Sequence, residues 1–279
     1  MIRYTILSIM NFEKFLQETF VLTERFFLQL KRRPITLISG ILQPLIWLLL
    51  FANLYQKVPI NFLGNEIPYL EFFSPGIIVF TAFNGALNAG LPLIFDREFN
   101  FLDRLLIAPL ISRFSIVLAA CIFIVSISFL QTILVFVVTT FLGATIPNLL
   151  NSFLIILIIL LLVLGVTAIS LSLAFSLSSH IELIGLILIT NLPVLFTSTA
   201  LVPIKFMPNW LQFIAVFNPL SYAIEAIRYL YLNSTWSFQH NLFDGISQNI
   251  RLIDCFVILI ILDFIILFFM NTLFKKSIS

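Results

Sequence analysis

Charge is scarce in this sequence. Only 10% of its 279 residues are Asp, Glu, Lys or Arg, whereas a soluble domain carries about 25%. So few ionised groups could not cover the surface of a soluble protein of this length, and that class is excluded. Cysteine and histidine are scarcer still. Cys121 and Cys255 lie inside apolar runs, His180 and His240 stand apart, and no C-x-x-C occurs. A metal or redox centre needs converging ligands, so no metal is expected and the thiols read as buried and inert. G-x-x-x-x-G-K-[ST] is also missing. Without it there is no backbone cradle for phosphates and no lysine to pair with them. ATP hydrolysis by this chain, and with it a bound cofactor, is therefore not expected. Residues 1–10 carry no basic stretch followed by an apolar core and a small-residue cleavage site, so no cleavable signal peptide is expected.

The sequence is rich in apolar length. Hydrophobic residues make up 61% of it, and its mean hydropathy is +1.12. A helix crossing the bilayer needs about 20 residues, so the chain has room for about six spans and no second soluble domain. The apolar runs fall near 35–55, 73–95, 115–141, 149–173, 183–202 and 252–274. Ahead of them, 12–33 places Phe12, Phe15, Leu16, Phe20, Phe26, Phe27 and Leu30 near helical spacing among Glu13, Lys14, Glu18, Glu24 and Arg25. That pattern is too polar to span and apolar enough for the headgroup boundary, which predicts an interfacial amphipathic helix. Segment 203–251 is apolar but interrupted by Pro203, Pro208 and Pro219, and it carries Lys205, Glu225 and Arg228. It predicts short re-entrant helices before the last span. The expected fold is all-α integral membrane, one transmembrane domain over 1–279.

Six spans put both termini on one side. Eleven of the fifteen Lys and Arg residues then share that side, in 1–33, in the loop 96–114 and at Lys275 and Lys276. The positive-inside rule places this side in the cytoplasm or its equivalent compartment. The bilayer is the expected surrounding, and no nucleic-acid partner is expected.

Loop 96–114 is the most informative segment. It holds Asp96, Arg97, Glu98, Asp103, Arg104, Pro109 and Arg113, with Phe99, Leu102, Leu105 and Leu106 at amphipathic spacing. It reads either as a solvated connecting helix or as a docking surface. Asp263 lies in the middle of the last apolar run. A carboxylate there costs at least ~2.5–3.5 kcal/mol on insertion scales, so it must face protein or water. It is either a pathway or dimer-interface group or a hydrogen-bonded structural acid. Glu225 and Arg228, three apart, can pair on one helix turn and either brace the re-entrant segment or gate it. Asn84, Asn88 and Gln131 read as helix-packing glue. His180 and Glu182 read as solvated turn residues.

Two stretches carry a family resemblance. "FDREFNFLDRLLIAPLISRFS" resembles the E-R-E-x-G-T-x-E-x-L-x-x-x-P pattern of permeases of the type-2 ABC exporter family. "NWLQFIAVFNPLSYAIEAIRYL" is similar to that family's second hallmark through Trp210, Asn218, Pro219, Tyr222 and Arg228. The likeness covers nearly the whole chain and is nearest to permeases encoded by bacterial and algal plastid genomes, which implies a bacterial inner membrane or a plastid membrane. One departure stands out: the family's G-T pair is Asn100-Phe101 here, and its following acid is Asp103. The resemblance implies a pore-forming subunit without catalytic residues. It also implies a homodimer and a separate ATPase subunit that holds ATP and Mg. Arg97, Glu98, Asp103, Arg104 and Pro109 would couple to that subunit, with the 12–33 helix bracing beside them.

Other classes fit less well. An ion-coupled carrier or channel would show broken spans in both halves and several midplane ionisable groups, where Asp263 stands alone. A lipid-modifying enzyme would need a cluster of His, Asp or Ser. A non-transporting assembly factor would have no use for a docking loop.

Overall fold

A computed structural model of the chain describes residues 2–55, 60–62, 65–107, 110–112, 114–233, 235–242 and 250–278. The fold is all-α. Its one strand feature among the described residues is a hairpin, β1 (Ile60–Phe62) antiparallel to β2 (Asn65–Ile67), with Asn61 opposite Glu66.

Helix α1 (Ile2–Arg32) is longer than its amphipathic pattern predicts. No glycine or proline precedes Pro34, so nothing breaks the helix earlier. Helices α2 (Ile35–Leu54), α3 (Tyr69–Leu87) and α4 (Gly90–Glu98) follow, then the short α5 (Phe101–Ile107). Beside α1, the long helices are α6 (Phe114–Phe141), α7 (Leu149–Ser176) and α11 (Leu252–Ile278). Between α7 and α11 lie α8 (His180–Phe196), a 3₁₀ turn at Ile204–Phe206, α9 (Asn209–Phe217) and α10 (Pro219–Leu232). Among the described residues, four stretches are long and apolar enough to cross a membrane: Leu37–Leu54, Tyr69–Glu98, Phe114–Phe141 and Leu149–Ser176. At 17 residues α8 is shorter than these. The 27 residues of α11 carry a further apolar run.

The helix boundaries follow local chemistry. Asn148 caps α7 by accepting from Leu149 N, and Ser179 caps α8 by accepting from Ile181 N. Asn218 followed by Pro219 starts α10, with the side-chain carbonyl on Leu220 N and proline in the first helical position.

The second span, expected near 73–95, extends over Tyr69–Glu98. It breaks at Asn88–Ala89, between α3 and α4. Ser170 of α7 makes the break tolerable: its Oγ donates to Leu87 O at 2.5 Å and accepts from Gly90 N at 2.9 Å. Backbone groups freed inside a membrane must find such partners in the protein.

Helix α7 is the hub of the bundle, packed against α3, α4, α6, α10 and α11. The buried apolar side chains form two clusters. One joins α3 with α9, α10, the first half of α7 and the start of α11; the other joins α1, α4, the start of α6, the end of α7 and the start of α8.

Candidate functional site

The charged segment that begins in the last turn of α4 is tied to three different elements. Helix α4 ends at Glu98, and Asn100 takes a left-handed φ of 55°. Its N–H closes onto Arg97 O at 3.0 Å, while Phe99 N bonds Phe95 O. This is a helix stop that glycine fills most often and asparagine next. Asn100 stands where the family pattern has glycine, so the departure keeps the backbone turn. Replacing Asn100 with glycine is expected to leave folding unchanged, whereas Asn100→Val should cost about 1–2 kcal/mol. Thermal melts of the detergent-purified variants check both.

The residues before this turn point into the protein. Arg97 donates to Ala174 O at 2.9 Å and Phe175 O at 3.3 Å, and also to Leu177 O, so it caps the C-terminal end of α7. Glu98 does the converse at α8: its Oε1 accepts from His180 N at 2.6 Å, and its Oε2 lies 2.5 Å from His180 Nδ1. A cation on a helix C-terminus and an anion on a helix N-terminus each complement the local dipole. Two adjacent residues thus grip both sides of the α7–α8 turn. His180, expected as a solvated turn residue, is half-buried against Glu98 and the Phe95 ring, whose centroid is 4.9 Å away.

Helix α1 grips the same segment from the other side. Arg25 pairs with Asp96 and lies 4.3 Å over the Phe101 ring. Two turns earlier, Glu18 accepts from Ile111 N at 2.8 Å. With Asp96, Arg97 and Glu98 engaged in this way, Asp103 and Arg104 on α5 are left exposed, together with Phe99 and Ile107. Pro109 lies outside the described residues.

At the far end of the bundle α10 is buried along nearly its whole length. Arg228 is fully buried. It bonds Glu225 Oε1 at 2.5 Å, Thr199 O at 2.7 Å and Phe72 O at 3.1 Å, and it sits 3.8 Å from the centre of the Phe72 ring. The pairing expected from the spacing of Glu225 and Arg228 forms, and it also joins α10 to α3 and to the turn after α8. Asn218 reinforces that joint: besides capping α10 it donates to Val194 O at 2.8 Å and Thr197 Oγ1 at 3.1 Å. The Tyr222 hydroxyl donates to Val216 O at 2.6 Å, fixing the α9–α10 corner. Trp210 points outward with Phe213 and Phe217 along the exposed face of α9. Asp263 is half-buried on α11 and seated against Gly165 of α7, where a Cβ would collide with its carboxylate.

Sequence reasoning passed over several residues. Asn151 of α7 donates to Leu230 O at 2.8 Å and Asn233 O at 2.7 Å, closing the C-terminal end of α10. Ser170 was likewise missed, and for Arg25 and Glu18 the helix was named but not their partners. Asn151 and Ser170 had one visible signal, as polar residues within a 28-residue apolar helix. Among the described residues, no group of three or more His, Cys, Asp or Glu could hold a metal ion.

Comparison with known proteins meets this architecture directly. The family model described as ABC-2 type transporter matches residues 17–232, from α1 through α10. The ycf38 protein of Cyanophora paradoxa, named as a transport permease, is 52% identical over 90% of this chain and 87% of its own length. The protein of the same name from Porphyra purpurea is 48% identical over 95% and 91%. The daunorubicin resistance ABC transporter permease protein DrrB1 of Streptomyces coeruleorubidus is 30% identical over 72% and 70%. The chain belongs to the ABC-2 type transporter family, as a multi-pass membrane subunit of the permease kind.

Proposed function

We propose that two copies of this chain form the pore of an ATP-driven exporter, each docked on a separate ATPase subunit that binds ATP and Mg. The observation that carries the reading is the clamped segment 96–111. Its inward charges hold α1, α7 and α8, and its outward charges, Asp103 and Arg104, are exposed and have no such engagement among the described residues. A surface held this firmly passes a push on α5 to both ends of the α7–α8 turn. The distribution of Lys and Arg supports a cytoplasmic or stromal position for this segment and for both termini, in a bacterial inner membrane or a plastid membrane.

A photo-crosslinking amino acid at Arg104 or Ile107 tests the reading in native membranes. It should capture an ATP-binding-cassette subunit, whereas the same probe at Trp210 should not. Equal capture from both ends of the molecule, or capture of no ATPase at all, contradicts the docking surface.

A further inference from the structure

The buried apolar residues fall into two separate clusters, and polar side chains mark the boundary between them on each helix that crosses it. Half-buried Val125, Ile127 and Phe129 of α6 also meet there. On α6 the cluster nearer the clamped segment ends at Ile124 and the far one resumes at Val135, with Ser128, Gln131 and Thr132 buried between them. On α7 the switch falls between Val166 and Ala168, at Thr167. On α8 it falls between Ile187 and Leu195, where Asn191 sits, and on α11 between Leu259 and Met270, which bracket Asp263. Between α3 and α4 it falls between Leu87 and Ala89, at Asn88, where the helix itself is broken.

This layer is incompletely bonded. Asn191 donates to Asn84 Oδ1 at 3.1 Å and Gln131 reaches Leu37 O at 3.4 Å. The buried Ser128 Oγ, Gln131 Oε1, Thr167 Oγ1 and Asn191 Oδ1 have no hydrogen-bond partner among the described residues. Unmet polar atoms at this depth are costly in one fixed arrangement, and interdigitated apolar packing, which resists sliding, is interrupted there. The layer also coincides with the place where the apolar stretch Tyr69–Glu98 changes helix, with Ser170 bonding both sides of the junction.

We propose that this layer is a hinge plane. A coupling-side body, made of α1, α4, α5, the start of α6, the end of α7 and the start of α8, pivots on it against a far body built around α3 and α10. Ser170 acts as the positioning residue of the pivot. The exporter reading enters only as the source of the driving force.

Nitroxide pairs test the plane in lipid nanodiscs, in a Cys121→Ser/Cys255→Ala background diluted with unlabelled chain so that each pair is read within one copy. Labels at Ile181 and Phe141 span the layer. Labels at Ile181 and Phe20 stay within the coupling-side body, and labels at Phe141 and Phe217 stay within the far body. The spanning pair should give a broader distance distribution than either internal pair, and Ser170→Ala should broaden it further. In the complex copurified with its ATPase and trapped with ADP and vanadate, the spanning distance should shift by about 2 Å or more while the internal pairs hold. Equal widths for all three pairs in wild type overturn the hinge, whatever becomes of the ATPase. Similar shifts in all three pairs of the trapped complex overturn it as well. Failure to copurify an ATPase counts against the exporter reading alone, because the nanodisc widths still decide the hinge.

Discussion

Replacing Arg228 with methionine is expected to destabilise the chain by about 3–5 kcal/mol, the cost of leaving a buried charge without its partner. Arg228 is fully buried and Glu225 nearly so. Without the guanidinium the carboxylate loses its counter-ion, and Thr199 O and Phe72 O lose a donor. The double variant Arg228→Met/Glu225→Met should recover much of the loss, because removing both charges removes the desolvation cost with them. Recovery should be partial, since the two backbone carbonyls stay unmet and the contact with the Phe72 ring is lost. Fluorescence-detected thermal melts in detergent, run as a double-mutant cycle, give the coupling. Equal destabilisation by the Arg228 single variant and the double variant would mean that the unpaired carboxylate is not the source of the loss. The loss would then lie in the Thr199 and Phe72 carbonyls and the ring contact.

The second large effect is expected at Gly90. A Cβ built there would lie 2.5 Å from Ser170 O and 3.0 Å from Ala174 Cβ. The first of these is backbone within the hub helix and cannot yield, so α4 must move away from α7. Overpacking of this kind costs about 1–3 kcal/mol. Gly90→Ala should therefore lower stability, and Gly90→Val should lower it further by forcing Arg97 and Glu98 off the α7–α8 turn. Gly185 on α8 is the matched control, because nothing lies within 4 Å of its Cβ position. Gly185→Ala should be neutral or stabilising by up to about 1 kcal/mol through helix propensity alone. If both alanine variants melt alike, the close approach of α4 to α7 is not a packing constraint.

The sequence reading succeeded where the signal was local. Apolar runs of 20 residues or more predict helices whatever their neighbours, and the charge deficit assigns the class. The Glu225–Arg228 pair is three residues apart, so helix geometry alone brings it into register. The second span shows where this ends. "GALNAGLP" holds two glycines, an asparagine and a proline, which is ample warning of a break, but the run around it is apolar enough to read as one helix. The residue that satisfies the break, Ser170, lies 83 positions from Leu87. The same distance hid the orientation of the charged loop. The family resemblance put Arg97, Glu98, Asp103 and Arg104 together as one coupling set. The fold turns the first two inward, onto helix ends more than 70 residues away, and leaves the second two facing out. The resemblance has the 12–33 helix bracing beside that loop. The fold supplies the two contacts that pattern alone does not name, Arg25 on Asp96 and Glu18 on Ile111 N, seven residues apart on α1.

The central claim is that Asp103 and Arg104 present this chain to an ATPase, and affinity purification in mild detergent tests it most directly. Tagged wild type is compared with Asp103→Lys/Arg104→Glu, with vanadate-sensitive ATP hydrolysis and mass spectrometry read on each eluate. The account predicts an ATP-binding-cassette subunit with the wild type, its loss from the double variant, and an unchanged melting temperature for that variant. Retention of the ATPase on the double variant, or its absence from wild type even after crosslinking, would contradict the account.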